Sequence, residues 1–126
     1  MFSITNFTKN NSPISELFFT KIKESILGKK YELSLVFAGD ARAKSLNIKY
    51  RNKTYIPNFL SFPVDETSGE IFMNLGQLKK ETKKFQMNYK ELTKFMFIHS
   101  CLHLAGYDHG DEMEKLEQKY LKKFGN

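Results

Sequence analysis

Apolar residues in the first third of the chain recur first at helical and then at strand spacing. The helical positions are Ile14, Leu17, Phe18, Ile22 and Ile26. They predict an amphipathic helix with Ser12 as its N-cap, Pro13 at its first position and Gly28 at its end. One face of the next segment would carry Tyr31, Leu33, Leu35 and Phe37, and the other would carry Glu32, Ser34, Val36 and Ala38. This pattern predicts a strand with one face more buried than the other.

The middle of the chain predicts a second helix followed by a hairpin. Asp40 is placed to cap a helix that has an apolar face. Beyond Pro57, two short apolar runs at residues 59–62 and 71–73 flank a polar loop, 65–69, that contains a glycine. This arrangement favours a β-hairpin. The residues at the start of the chain predict one more strand, at an edge of the sheet.

The last third of the chain predicts three helices. A basic helix extends to about Phe85, and an amphipathic helix ends the chain. Between them, the segment from Leu92 to Ala105 is apolar almost all round, so this helix must be buried. Because strands come early and helices late, the pattern favours an α+β fold. We expect a small mixed sheet of about four strands packed with about five helices, in a single domain over residues 1–126.

All three histidines of the chain lie between His99 and His109. His99 and His103 are four positions apart, so on a helix they project from one face, one turn apart. Gly106 can end that helix in a left-handed conformation and turn the chain back, so that His109 supplies a third nitrogen. Three neutral imidazoles suit Zn²⁺ best, and they leave one tetrahedral position open, as in catalytic zinc sites. A hydrogen-bonded core cluster is the alternative, but imidazoles at the end of a buried helix need partners that a metal provides.

The charge of the chain points to a polyanionic partner. Twenty Lys and Arg residues against fourteen Asp and Glu give a net charge of +6, which favours nucleic acid. Each lysine taken singly is better explained as part of a solvated helix face. The densest basic cluster consists of Lys79, Lys80, Lys83, Lys84, Lys90 and Lys94.

Neither a membrane partner nor export is predicted. The longest apolar runs are far too short to span a bilayer, and the N-terminus lacks the regions of a signal peptide. The single cysteine, Cys101, excludes an intramolecular disulfide and fits a reducing compartment. Cys101 lies about 200° around the helix from His99 and His103, so we expect a buried core residue and not a ligand. These features predict a cytoplasmic protein.

A zinc ion held by three histidines makes the predicted reaction hydrolytic. The spacing His-x-x-x-His-x-x-Gly-x-x-His also occurs in metzincin peptidases, where a glutamate directly after the first histidine is the general base. Ser100 stands at that position, and a serine hydroxyl cannot take up a proton from zinc-bound water at neutral pH. The peptidase hypothesis therefore lacks its base.

Phosphodiester cleavage makes a different demand, because negative charge gathers on the non-bridging oxygens of the phosphate. Arg51, at the end of the second predicted helix, is the leading candidate to meet it. A guanidinium there could bind phosphate through two hydrogen bonds. The residues alone fit an ordinary surface arginine equally well.

Three segments together resemble the YbeY family of bacterial zinc-dependent endoribonucleases that act in ribosomal RNA maturation. They are the eleven residues from His99 to His109, Leu-Asn-x-x-Tyr-Arg ending at Arg51, and Leu-Ser-Phe-Pro at Leu60 to Pro63. The resemblance extends from about Gly39 to the C-terminus and includes the last helix.

The resemblance implies a small α+β domain with a zinc ion held by His99, His103 and His109. It implies catalytic roles for Arg51 and for the zinc ligand His99. The implied activity is cleavage of single-stranded RNA in maturation of the 3′ end of small-subunit ribosomal RNA and in ribosome quality control. Ribosomal RNA and the small ribosomal subunit would then be the partners, with no DNA expected. With RNA as the partner, Lys83 and Lys84 become candidate RNA contacts.

The chain departs from the family pattern at a few positions. Ser100 stands where the family usually has glycine, Glu70 stands where it usually has aspartate, and residues 56–59 also differ. These departures leave every proposed ligand intact.

Two other functions stay open: a zinc metallopeptidase, and a non-catalytic ribosome-associated binding module whose zinc is structural. The binding module needs a fourth protein ligand, for which Asp108 is the nearest candidate. The expected role of Asp108 is instead to hold a histidine ring nitrogen or a backbone amide beside the ligands.

Overall fold

A four-stranded mixed sheet and six helices make up the computed structural model, which describes residues 1–125. The strands are β1 (Phe2–Asn6), β2 (Glu32–Phe37), β3 (Phe59–Asp65) and β4 (Ser68–Met73). The helices are α1 (Glu16–Leu27), α2 (Asp40–Arg51), α3 (Leu75–Lys80), α4 (Thr82–Phe85), α5 (Tyr89–Leu104) and α6 (Asp111–Lys123). The α+β class is confirmed. The domain predicted over 1–126 stays a prediction, and its last residue lies outside the described range.

The sheet has the strand order β1-β2-β4-β3. Strands β1, β2 and β4 run parallel, and β3 runs antiparallel to β4. Leu35 in the centre of the sheet stands opposite Ile4 on one side and Ile71 on the other. The predicted edge strand and hairpin are both confirmed. The hairpin turn is shorter than the predicted polar loop, since only residues 66–67 separate β3 from β4.

The buried core lies between the sheet and helices α1 and α5. Phe19 of α1 contacts the rings of Phe37 in β2 and Phe97 in α5, at centroid distances of 6.0 and 4.7 Å. Helix α2 lies against β3, where Tyr50 packs on Phe62 at 5.2 Å. The antiparallel strand β3 therefore contacts both α2 and α5, and this position brings distant parts of the chain to the end of α5.

Helix α5 is the buried central helix that the sequence predicts. Asn88 and Glu91 form a capping box at its start, in which each side chain accepts a hydrogen bond from the other residue's backbone N–H. Cys101 is fully buried in this helix, and burial raises the pKa of its thiol. The expectation of a core cysteine is confirmed. No helix within residues 1–125 is long and apolar enough to cross a bilayer.

Two predicted helix caps are wrong. Ser15 caps α1, since its Oγ accepts a hydrogen bond from the Phe18 N–H at 3.2 Å. The predicted cap Ser12 forms a local turn with Ile14 instead, because serine hydroxyls compete for nearby backbone groups. Asp40 is the first residue of α2 and makes no capping bond; its carboxylate accepts a hydrogen bond from the Asn74 side chain at 2.8 Å.

The basic helix predicted to reach Phe85 is divided at Glu81 into α3 and α4. The Glu81 carboxylate accepts hydrogen bonds from Asn58 at 2.9 Å and from Gln77 at 2.7 Å. The bond from Asn58 links the break to the segment before β3. The break also explains why the described chain has six helices and not five.

Candidate metal centre

The structure brings the three histidines together at the C-terminal end of α5. His99 and His103 lie in its last two turns, and the helix ends at Leu104. Gly106 then adopts a φ of 101°, which a residue with a side chain rarely adopts. This turn returns His109 to the other two rings, at centroid distances of 5.3 Å from His99 and 5.1 Å from His103. One ring nitrogen from each histidine lies within 4.8 Å of the others.

Hydrogen bonds fix which nitrogen of two rings carries the proton. The Nδ1 atom of His99 lies 2.5 Å from a carboxylate oxygen of Glu117, and the Nδ1 atom of His103 lies 3.1 Å from the Tyr107 carbonyl oxygen. Both oxygens only accept hydrogen bonds, so both Nδ1 atoms must donate. In the neutral imidazoles the two Nε2 atoms are then lone-pair acceptors.

These two Nε2 atoms face each other, and neither carries a proton that it could donate to the other. The Nε2 atoms of His99 and His103 are 3.1 Å apart, which is unfavourable for two lone pairs unless a cation lies close to both. Two nitrogens bound to one tetrahedral zinc ion lie about 3.3 Å apart. The donor set therefore fits a metal held by His99, His103 and His109.

Burial keeps His103 in the neutral form that binds metals. Removal from water lowers the pKa of His103, and the nearby His99 and His109 lower it further. The Tyr107 carbonyl and Asp108 oppose this shift. The direction of the net shift favours the ligand form.

Glu117 is the site residue that the sequence analysis missed. It lies on α6, eighteen positions after His99, and is only 6% exposed. Its carboxylate holds the His99 ring in the way that carboxylates behind metal-bound histidines do. One signal was available in the sequence, because Glu117 shares the apolar stripe of α6 with Met113, four positions earlier.

Asp108 is exposed, and the ring contacts expected of it are made by Glu117 and Tyr107. Its electrostatic influence on His103 raises the pKa of that residue. A role for Asp108 beside the ligands stays a prediction.

Arg51 lies in the same cavity as the three histidines. The cavity has a volume of about 550 Å³ and is open to solvent. Arg51 ends α2, and its Nη1 donates to the Asn47 side-chain oxygen at 3.4 Å and to the Tyr55 hydroxyl at 3.2 Å. The other lining residues come from the segment before β3, from β3 and from α5; they are Tyr55, Pro57, Asn58, Phe59, Leu60, Ser61, Pro63 and Leu104.

Ser100 is fully buried and lies away from this cavity. Its Oγ donates to the Met96 carbonyl oxygen at 2.8 Å. The position after the first histidine therefore presents no base to the histidine cluster, in agreement with the argument against a peptidase.

The structure does not bring Lys83 and Lys84 to the cavity. Both are exposed on the short helix α4, and Lys83 lines a separate surface groove beside Tyr89 at the opposite end of α5 from His103. Lys94 is buried, with its ammonium group 5.3 Å from the Phe18 ring centroid, so it is not part of an exposed face. An RNA-binding role for Lys83 and Lys84 stays a prediction.

The fold and the site define a class: a small α+β protein with a three-histidine centre suited to a metal, beside an arginine in an open cavity. Comparison with known proteins identifies the family within that class. The model of the family described as Endoribonuclease YbeY matches residues 4–125. The chain belongs to the YbeY family.

Individual relatives agree with this assignment. An Endoribonuclease YbeY from Mycoplasma mycoides is 33% identical, over 91% of this chain and 81% of that protein. An Endoribonuclease YbeY from Polynucleobacter asymbioticus is 35% identical, over 90% of this chain and 85% of that protein. A solution structure from Thermotoga maritima has the same fold, with a TM-score of 0.68 at 24% identity over 98% of this chain and 89% of that one.

Proposed function

We propose that this chain is a zinc-dependent endoribonuclease that hydrolyses single-stranded RNA. The observation that carries the proposal is the convergence of three histidine ring nitrogens and the Arg51 guanidinium on one open cavity. The relatives named as endoribonucleases support the choice of substrate. Maturation of the 3′ end of small-subunit ribosomal RNA and ribosome quality control are the cellular roles we propose for this activity.

Zinc is the metal that this donor set suits best. Within residues 1–125 the cluster offers three imidazoles and no thiolate or carboxylate, a donor set that favours Zn²⁺ over Mg²⁺ or Ca²⁺, which prefer oxygen. When bound, zinc would supply Lewis acidity and lower the pKa of a water molecule beside the scissile phosphate. Glu117 and the Tyr107 carbonyl would keep the rings of His99 and His103 in the orientation that binds it.

Arg51 supplies the positive charge that phosphodiester cleavage requires. Its guanidinium lines the cavity with the histidines, and Asn47 and Tyr55 restrict its position. A guanidinium that is already oriented can meet the charge that develops on a phosphate oxygen without reorganising. In this proposal Arg51 binds the scissile phosphate.

The two other functions fit the site less well. A peptidase would need a general base after His99, and Ser100 is buried and bonded to the backbone. A structural zinc would need a fourth protein ligand, but within residues 1–125 the cluster contains His99, His103 and His109 alone.

The deciding experiment compares three substrates under one set of conditions: single-stranded RNA, a fully paired RNA hairpin and an unfolded protein such as casein. We expect cleavage of the single strand, slower cleavage of the paired stem, an intact protein substrate, and complete inhibition by a chelator. Chelator-sensitive proteolysis with intact RNA would establish the peptidase. A precursor carrying the small-subunit 3′ end, compared with a scrambled sequence of equal length, tests the proposed ribosomal substrate.

A further inference from the structure

Tyr55 is an aromatic residue in the histidine cavity that the proposed reaction does not yet use. It lies between α2 and β3, lines the cavity together with Arg51 and the histidines, and is 53% exposed. Tyrosine rings on protein surfaces are amphipathic, and exposed aromatic rings are the surfaces on which unpaired nucleobases stack.

The other aromatic ring of the cavity wall, Phe59, is already engaged. Phe59 packs edge-on against the His99 ring at a centroid distance of 5.5 Å. Within residues 1–125, by contrast, no aromatic ring packs on Tyr55. The ring of Tyr55 is therefore available to a ligand, while that of Phe59 supports a histidine.

Tyr55 is held beside the group that would bind phosphate. Its hydroxyl accepts a hydrogen bond from Arg51 Nη1 at 3.2 Å. An aromatic ring and a guanidinium at this separation lie within the span of a single nucleotide, whose base and phosphate they would contact together. A base on Tyr55 and a phosphate at Arg51 would thus belong to the same or to neighbouring nucleotides.

Asn47 restrains both Arg51 and Tyr55. The side chain of Asn47 is fully buried; its Nδ2 donates to the Tyr55 carbonyl oxygen at 3.0 Å, and its Oδ1 accepts from Arg51. One buried amide therefore restrains both the guanidinium and the backbone that carries the ring. Such restraint reduces the entropy that a flexible ring would lose on binding a base.

We infer that Tyr55 stacks on an unpaired base next to the scissile phosphate and thereby contributes to the selection of single-stranded RNA. A base inside a duplex is already stacked between its neighbours, so this contact is open only to a base that is unpaired or splayed out. The inference rests on the proposed function, because it requires RNA in the cavity.

Binding to the full chain after treatment with a chelator tests the stacking contact without cleavage. Tyr55→Leu removes the ring, whereas Tyr55→Phe keeps the ring and removes only the hydroxyl that Arg51 contacts. We expect Tyr55→Leu to weaken binding of a single-stranded RNA oligonucleotide by about 5–100-fold, the range that loss of one base–aromatic stack produces. Tyr55→Phe should bind within about threefold of the unmodified chain, since the stacking surface remains.

A series of oligonucleotides with one abasic site each locates the contacted base. At one position, loss of the base should weaken binding to the unmodified chain by the same factor as Tyr55→Leu. The same abasic site should then have no effect on binding to Tyr55→Leu. Phe7→Leu is the matched control, because Phe7 is 59% exposed and lies beside Arg42 at 4.4 Å but does not line the cavity; its binding should not change.

Two results would overturn the inference. If Tyr55→Phe and Tyr55→Leu weaken RNA binding equally, the loss comes from the hydrogen bond between the Tyr55 hydroxyl and Arg51, and not from stacking. If every abasic site weakens binding to Tyr55→Leu as much as it weakens binding to the unmodified chain, no base contacts the ring.

Failure of the proposed function appears separately, as absence of RNA cleavage by the metal-loaded unmodified chain. Thermal melting of each variant shows whether it is folded, and Tyr55→Ala is the second ring-free variant, with the same expected loss of binding, if Tyr55→Leu does not fold.

Discussion

At the scale of single residues, burial of His103 extends to lower pH the range in which this residue can bind a metal. Its pKa lies below the ordinary histidine value because burial and the neighbouring His99 and His109 all disfavour the charged form. The neutral ligand form therefore persists below about pH 6.5. As pH falls through the lowered pKa, the proton competes with the metal and the contribution of the neutral form to stability is lost.

We predict one tightly bound metal ion per chain at neutral pH, released as the pH drops below about 6. His103→Ala should retain no stoichiometric metal, because a single histidine pair is a weak site. Elemental analysis of protein purified without added metal, dialysed at a series of pH values, measures both effects. Undiminished metal in His103→Ala would show that the ion binds elsewhere.

Glu117 should control metal affinity through His99. Glu117→Gln keeps the size of the side chain but removes the charge that holds the Nδ1 proton of His99. We expect metal affinity to fall about 10–100-fold, as for other carboxylates behind metal-bound histidines. Asp108→Asn is the matched variant, and competition with a chelator gives both affinities. A larger loss of metal affinity in Asp108→Asn than in Glu117→Gln would show that Asp108, the residue expected from the sequence, is the one that supports the ligands.

Arg51 should affect RNA cleavage without affecting the metal. Arg51→Ala should lower the cleavage rate by about 10²–10³-fold, which is the loss on removing one donor to a developing anion. Arg51→Lys should restore little, since an ammonium cannot reproduce a planar guanidinium. Metal content and melting temperature should match those of the unmodified chain. If Arg51→Ala cleaves RNA at the same rate as the unmodified chain, Arg51 is an ordinary surface arginine.

At the scale of secondary-structure elements, Gly69 in β4 lies so close to Tyr31, the residue before β2, and to the end of α5 that it has no room for a side chain. A methyl group there would lie 2.5 Å from the Tyr31 hydroxyl oxygen and 3.0 Å from Leu104. The Tyr31 hydroxyl is buried and has no hydrogen-bond partner, and burial raises its pKa. One unsatisfied polar group therefore lies beside Gly69.

We predict that Gly69→Ala lowers the free energy of unfolding by about 1–3 kcal/mol through overpacking. Tyr31→Phe should be neutral or stabilise the chain by about 1 kcal/mol, because it removes a buried hydroxyl without a partner. In the Tyr31→Phe background, Gly69→Ala should be less destabilising, since the two residues are in contact. Urea unfolding of the four proteins measures this coupling. Strict additivity of the two changes would contradict the contact.

At the scale of the whole molecule, positive charge is distributed beyond the cavity. If RNA extends from the histidines to Lys83 and Lys84, binding should weaken with salt at a log–log slope of about −0.7 per phosphate contacted. Charge reversal to glutamate at both lysines should flatten this slope. The same reversal at the exposed pair Lys29 and Lys30 is the control for net charge. Equal flattening by both pairs would show that Lys83 and Lys84 make no particular contact.

Local sequence patterns were sufficient where neighbours along the chain decide the structure. The buried helix, the hairpin and the convergence of His99, His103 and His109 depend on residues a few positions apart. The same local reasoning failed at the start of α1, where the predicted cap was Ser12 and the residue that caps the helix is Ser15. It also failed at Glu81, because the bond from Asn58 that accompanies the break comes from 23 positions away.

The sequence by itself determined which residues are candidate metal ligands, and the tertiary structure decided the arrangement of the site around them. Histidine spacing is a property of one helix and one turn, so the eleven residues from His99 to His109 are sufficient to predict it. The contacts of Glu117 with His99, and of Arg51 with the same cavity, join elements that approach only when apolar faces pack. Sheet order and such long-range contacts arise from burial of the whole core, which many pairings of the same local elements could satisfy.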